Sequence, residues 1–211
     1  MSETPLPAIR PNDRLAAQLR FIVEIDKLKR ITRQTYLMDR SRKENSAEHS
    51  WHFALMAVLL AEYAAQPGLD VFKVVQMALV HDLVEIDAGD ALVYDEPARQ
   101  RKVQAERIAA DRIFALLPAD QGREMRALWE EFEARQTPEA KFAAALDRLQ
   151  PILHNYHTDG AAWREHGVTA DMVLDRNRHM AQGAPVLWEL VEGLIRDAVA
   201  RGILAEGPKV K

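Results

Sequence analysis

The sequence predicts an all-α protein, a single helical bundle, on three observations. Apolar residues recur at helical spacing along the chain, and no sustained period-two alternation or Asn-Gly or Asp-Gly hairpin is found. Helix start and stop signals also punctuate the chain at intervals suited to helices. Leu15, Leu19, Ile22, Ile25 and Leu28 make a first amphipathic helix. Asn45-x-x-Glu48 is a capping box that opens a second, running to about Ala64, and Asp70 caps a third that ends near Ile86. Ala88-Gly89-Asp90 breaks the pattern. Pro97 starts a helix reaching about Leu117, Pro118 stops it, and another follows around Glu124 to Arg135. Pro138 opens a helix that carries Asp147, and Pro151, unable to donate to the Asp147 carbonyl, loosens it locally. The Trp163 to Gly167 segment reads as a turn. Thr169 and Pro185 precede two further helical stretches, the last with Leu187, Leu190, Val191, Leu194 and Ala198 on one side, as core or as dimer interface.

No Pro/Gly/Ser-rich linker divides the 211 residues, so residues 1–211 read as one domain, with a core over roughly 12–180 and a C-terminal helix over about 185–204. A formal net charge of -4 gives no pull toward nucleic acid or anionic membranes. The longest apolar run, Phe53 to Ala61, is too short for a bilayer, which needs about 20 residues. The opening segment lacks the basic start and apolar core of a secretory signal, so a cytoplasmic location is expected. The chain has no Cys, which leaves imidazole and carboxylate as ligands for any transition metal.

His81-Asp82 interrupts the apolar stretch from Val74 to Ile86, and no Lys or Arg occurs between Val74 and Ala98. Six acids, Asp82, Glu85, Asp87, Asp90, Asp95 and Glu96, share that interval. A buried carboxylate without a cation costs several kcal/mol, roughly, so positive charge must come from elsewhere, and a divalent metal would supply it. His81, Asp82 and Glu85 stand at i, i+1 and i+4, so one helix can offer two ligands and an acid. His49 falls in the first turn of the preceding helix and can reach them if the two helices pack antiparallel. Asp147, set in Phe-Ala-Ala-Ala-Leu-Asp-Arg-Leu-Gln-Pro, is a fourth candidate, compensated by Arg148 or by the metal.

The segments Glu44-Asn45-Ser46-Ala47-Glu48-His49-Ser50, His81-Asp82-Leu83-Val84-Glu85 with Gly89-Asp90, and Ala145-Leu146-Asp147-Arg148-Leu149-Gln150-Pro151 resemble the HD-domain metal phosphohydrolases. The likeness spans roughly Leu15 to Val168, and within that family it points to the branch of bacterial 5'-deoxynucleotidases and HD-domain-containing protein 2. The resemblance implies a single HD domain in which His49, His81, Asp82 and Asp147 hold one divalent ion, with Co, Mn, Zn, Fe and Mg undistinguished. It implies that Glu85 and Asp90 assist catalysis and that Arg33 lies near the substrate phosphate. The spacing from Arg33 to His49 is one residue longer than in the branch, and Gln34 stands where the branch has an aromatic residue. The implied reaction is hydrolysis of deoxyribonucleoside 5'-monophosphates by a homodimer.

Bland readings stand beside these: support or capping for Glu85 and Asp90, and a structural ion pair for Arg33. His52, His157, His166 and His179 read as surface or satisfied side chains, whereas His154, seven residues after Asp147, is placed to line the pocket. Oxygen chemistry at two irons is disfavoured, because no His lies between Leu83 and Ala145. The remaining alternatives are an HD hydrolase for another nucleotide or phosphoester, and a non-catalytic module stabilised by a closed metal site.

Overall fold

The computed structural model describes residues 13–90 and 96–207, with the side chains of 96–101 excepted. The opening segment, Asp95, the Glu96 side chain and the tail beyond Gly207 therefore lie outside the described residues. In chain order the elements are α1 (Asp13–Ile25), a 3-10 turn (Asp26–Arg30), β1 (Thr32–Tyr36), β2 (Lys43–Asn45), α2 (Ser46–Leu60), a second 3-10 turn (Ala61–Tyr63) and α3 (Val71–Val80). They continue as α4 (Glu85–Ala88), α5 (Glu96–Phe114), α6 (Ala119–Ala134) and α7 (Pro138–His157). The chain closes with α8 (Ala161–Glu165), α9 (Ala170–Asn177), α10 (Met180–Gly183) and α11 (Pro185–Ala200).

The all-α expectation holds, and α7 is the axis of the bundle. Thr137 caps it, accepting from the Ala140 amide at 3.2 Å, with Pro138 in the first turn. Most of its residues are buried, against α2, α3, α6, α10 and α11. Its Ala143-Ala144-Ala145 run keeps the helix slim, so that neighbours approach closely. Gly183 shows how closely: a Cβ there would stand 2.1 Å from the Lys141 carbonyl oxygen, so only glycine fits. A second apolar cluster, including Phe21, Leu28, Leu83, Val84, Ile113 and Trp129, joins α1, α5 and α6 to the segment after α3. His81 and Asp82 sit between that cluster and the one around α7, to which Met77 and Ala78 belong.

Four local expectations are corrected. An antiparallel ribbon, β1 with β2, pairs Thr32 with Asn45 and Tyr36 with Lys43. Hydropathy missed it because its inward side chains are polar: Arg33, Thr35 and Glu44. The third helix ends at Val80, short of Ile86, because the backbone bonds tighten there to i→i+3, from Leu83 N to Val80 O (3.1 Å) and from Glu85 N to Asp82 O (2.9 Å). In α1, Leu15 and Ile22 are exposed and Phe21 is buried, and the helix gives way at Asp26 to a 3-10 turn, which is where Leu28 is buried. Trp163 lies in the short helix α8, fully packed, where a turn was expected.

The apolar stripe of α11 is internal: Leu187, Val191, Ile195 and Ala198 join the core around α7, and Leu190 is exposed. Among the described residues, no helix is long and apolar enough to cross a membrane.

Candidate metal centre

Local sequence rules place each candidate ligand. Asn45 Oδ1 accepts from the Glu48 amide at 2.9 Å while the Asn45 amide donates to Glu48 Oε2 at 3.1 Å, which fixes the start of α2 and sets His49 in its first turn. Asp70 Oδ1 accepts from the Lys73 amide at 3.0 Å, starting α3, so that His81 falls at its C-terminal end. The tight i→i+3 turn then carries Asp82 beside His81, and Gly89, at φ +74°, ends α4 before Asp90.

His49, His81 and Asp147, all buried, bring one ligand atom each to within 4.8 Å of one another. Asp147 Oδ1 lies 3.0 Å from His49 Nε2 and 3.8 Å from His81 Nε2, and Asp82 Oδ1 flanks the trio, 3.0 Å from His81 Nε2. Both imidazoles are oriented from behind. His81 Nδ1 donates to the Ala78 carbonyl at 2.9 Å, and His49 Nδ1 donates to Gln150 Oε1 at 2.8 Å. These bonds turn the Nε2 lone pairs toward the carboxylates. Buried His81 Nε2 has no hydrogen-bond partner, since its approach to Asp82 is off the bonding line.

The carboxylates divide their oxygens in the same sense. Asp82 Oδ2 pairs with Arg33 Nη1 at 2.9 Å and Asp147 Oδ2 with Arg148 Nη2 at 2.9 Å, which leaves the two Oδ1 atoms facing the imidazoles. Such a group calls for a cation. Burial disfavours charge on His81, yet Asp82 and Asp147 outweigh it and push its pKa up to about 9. Burial opposes ionisation of Asp147 as well, but Arg148 and His49 hold its carboxyl well below the usual range. Two imidazole nitrogens and two carboxylate oxygens, with one nitrogen orphaned, fit a borderline divalent metal.

The remaining predicted residues converge on the same place. A cavity of about 210 Å³ is lined by Arg33, His81, Asp82, Glu85, Asp90 and Asp147, among others. Glu85 is held at both oxygens, accepting from Ser46 Oγ at 2.8 Å and from Lys102 Nζ at 2.6 Å. Burial, with Asp82 nearby, pushes its pKa up to about 7. Asp90 lies 4.0 Å from Lys102 Nζ, its pKa raised by burial. Arg33, its side chain 12% exposed, reaches in from β1, and the neighbouring carboxylates keep it charged despite that burial.

Two histidine expectations exchange places. His154 does not line the cavity: it packs behind His49, its Nε2 3.2 Å from Gln150 Nε2, and burial drives its pKa down to about 4. His166, expected to be bland, lines the cavity instead. Besides the site for an ion, cations from outside the acidic stretch do arrive: Arg33 at Asp82, Lys102 at Glu85 and Arg112 at Asp87. They satisfy the outer oxygens and leave the imidazole-facing ones to an ion.

Sequence reasoning did not single out Lys102, Glu44 or Gln150. Lys102 had no local signal, being one basic residue in a charged helix brought to Glu85 by tertiary packing. Gln150 had one: at i+3 from Asp147 it shares that face of α7. Its amide also donates to buried Glu44 at 2.5 Å, and its NH2 group fills the space between Glu44, His52 and His154, the other ligand-type cluster among the described residues. Replacing Gln150 by Leu removes the acceptor that fixes the His49 tautomer. The expected result, read by calorimetric titration of metal-free protein with Mn2+, is an affinity about 10–100-fold weaker; unchanged affinity would refute this orienting role.

Comparison with known proteins agrees with the geometry. The family model described as HD domain matches residues 25–188. The crystal structure of a "predicted metal-dependent phosphohydrolase" from Magnetospirillum magnetotacticum MS-1 is 53% identical, covers 91% of this chain and 98% of its own, and superimposes with a TM-score of 0.86. The 5'-deoxynucleotidase HDDC2 of Homo sapiens is 33% identical over 136 residues, 64% of this chain and 65% of that protein. The Mus musculus protein of the same name is 33% identical over 139 residues, 65% and 68%. Just under two thirds of the human relative's length is thus spanned. The match over residues 25–188, across the ribbon, α2, the His-Asp turn and α7, makes this chain a member of the HD domain family.

Proposed function

We propose that this protein is a metal-dependent phosphomonoesterase that hydrolyses deoxyribonucleoside 5'-monophosphates to deoxynucleoside and phosphate. The observation that carries the reading is the convergence of His49, His81, Asp82 and Asp147 at the wall of an open cavity that also holds Arg33, Lys102 and Glu85. In this reading those two histidines and two aspartates hold one divalent ion, which when bound supplies Lewis acidity toward phosphate and lowers the pKa of water.

The chain's own residues do the rest. Arg33 and Lys102 draw the phosphate in and offset its charge as the P–O bond breaks. Glu85, clamped by Ser46 and Lys102, accepts the proton of the attacking water. Asp90, at the same wall, orients water or a sugar hydroxyl. Beyond Asp147 the cavity follows α7 past Pro151 and Ile152 to Asn155, eight residues or about 12 Å at 1.5 Å per residue, with Trp163 lining it too. That length, and a lining that mixes Pro151, Ile152 and Trp163 with Asn155, suit a sugar and base.

The relatives named 5'-deoxynucleotidase support the substrate class. An open cavity beside the ligands favours catalysis over a closed structural ion. The same reading carries one HD domain over 1–211, a cytoplasmic setting and a homodimer.

The test is phosphate release from a panel of deoxyribonucleoside and ribonucleoside 5'-monophosphates, using protein loaded with Mn2+ or Co2+. Release from the deoxy forms in preference to the ribo forms is expected. Metal-loaded protein that releases phosphate from neither series would overturn the reading.

A further inference from the structure

Glu44 is a buried carboxylate to which the proposed reaction gives no task. It stands in β2 beside the Asn45 cap, 2% exposed, where a charge needs partners of its own. Its two oxygens serve different partners. Oε1 accepts from Gln150 Nε2 at 2.5 Å, while Oε2 accepts from Thr35 Oγ1 at 3.4 Å and lies 3.5 Å from Arg33 Nε.

The first partner leads to His49. Because Glu44 takes the NH2 end of the Gln150 amide, the oxygen end is the one that meets His49 Nδ1, 2.8 Å away. His52 Nδ1 and His154 Nε2, 3.4 and 3.2 Å from the same NH2 nitrogen, hold the amide the same way round. Burial lowers the pKa of both imidazoles and keeps them neutral acceptors. His49 Nδ1 therefore carries the proton, and Nε2 keeps its lone pair for an ion. An amide turned over would offer NH2 to His49 Nδ1 and move the proton to Nε2, where it blocks coordination.

The second partner leads to the phosphate. Arg33 Nη1 pairs with Asp82 Oδ2 at 2.9 Å, and Arg33 Nε, buried and without a hydrogen-bond partner, has the charge of Glu44 beside it. Two carboxylates thus hold two nitrogens of the guanidinium plane and leave Nη2 for a phosphate oxygen.

We propose that Glu44 is a positioning residue, a single carboxylate that selects the His49 tautomer through Gln150 and aims Arg33 at the substrate phosphate. The inference rests on the reading of the site given above.

An amide at position 44 offers one acceptor oxygen where the carboxylate uses two, so Glu44→Gln keeps size and burial but must give up Gln150 or Arg33. Two calorimetric titrations read the loss, of metal-free protein with Mn2+ and of Mn2+-saturated protein with inorganic phosphate. Both are run at pH 8, above the value of about 7 to which burial pushes the Glu44 carboxyl. At least one affinity should fall about 10-fold or more, with the far-UV circular dichroism of the wild type.

The exchanged pair, Glu44→Gln with Gln150→Glu, separates positioning from space-filling. In it the amide at 44 donates to the carboxylate at 150, whose other oxygen accepts from His49 Nδ1, and the amide oxygen returns to Arg33. The pair should recover most of the lost affinity, a coupling that a residue acting only as filler would not show. Both affinities unchanged in Glu44→Gln, or an exchanged pair no better than the single variant, would overturn the proposal. Wild-type protein that binds no Mn2+ would overturn the reading of the site and the proposal with it.

Discussion

Replacing Asp147 by alanine is expected to abolish metal binding and phosphate release together. Asp147 Oδ1 is the atom that both imidazoles face, 3.0 Å from His49 Nε2 and 3.8 Å from His81 Nε2. Without it the two lone pairs lose their shared anionic neighbour and the ion loses a ligand at its centre. An indirect ligand-orienting partner is worth about 10–100-fold in affinity, so a direct ligand should exceed that. A metal contribution of several kcal/mol to the transition state corresponds to a fall in kcat/KM of about 10³-fold or more. Metal stoichiometry, measured by elemental analysis after dialysis, separates this from simple misfolding when read with the far-UV circular dichroism. A well-folded Asp147→Ala protein that keeps a full equivalent of metal would remove Asp147 from the ligand set.

Glu85→Gln should have the opposite pattern: metal retained, turnover lost. The substitution preserves shape, since the amide oxygen can still accept from Lys102 Nζ while the NH2 group donates to Ser46 Oγ, but it cannot take a proton. A general base contributes about 10²–10⁴-fold, and kcat should fall by that factor with metal stoichiometry unchanged. The pH dependence gives an independent check. Burial and Asp82 hold the Glu85 pKa near 7, and only the ionised carboxylate is a base, so kcat should rise with pH through that value or below it, where a bound cation lowers it. Lys102 lowers this pKa, so Lys102→Ala should move the acid limb to higher pH. Wild-type turnover in Glu85→Gln would end the assignment.

Much of this site was legible in the sequence because its signals are local. The Asn45-x-x-Glu48 box is recorded in two hydrogen bonds within one turn, and it alone determines where His49 emerges. The His-Asp pair and Asp147 stand out as polar residues in apolar helices, an arrangement that water-excluded packing tolerates only for a purpose. Arg33 was legible only through family likeness, since nothing in its own neighbourhood marks a buried arginine. The ribbon that presents it was invisible, because a strand that buries Arg33 and Thr35 breaks the rule that inward means apolar.

By itself, then, the sequence determined most of the helices, their caps and the identity of the ligand-type side chains, which depend on residues within a turn or two of one another, and, through three short segments taken together, the family. Tertiary structure decided which oxygen of each aspartate is left for an ion, which cation reaches Glu85 and which apolar faces stay open. Arg33 and Asp82 are 49 residues apart, His49 and Gln150 are 101. Long-range packing sets such pairings, and the short-range periods of a helix or strand hold no record of them.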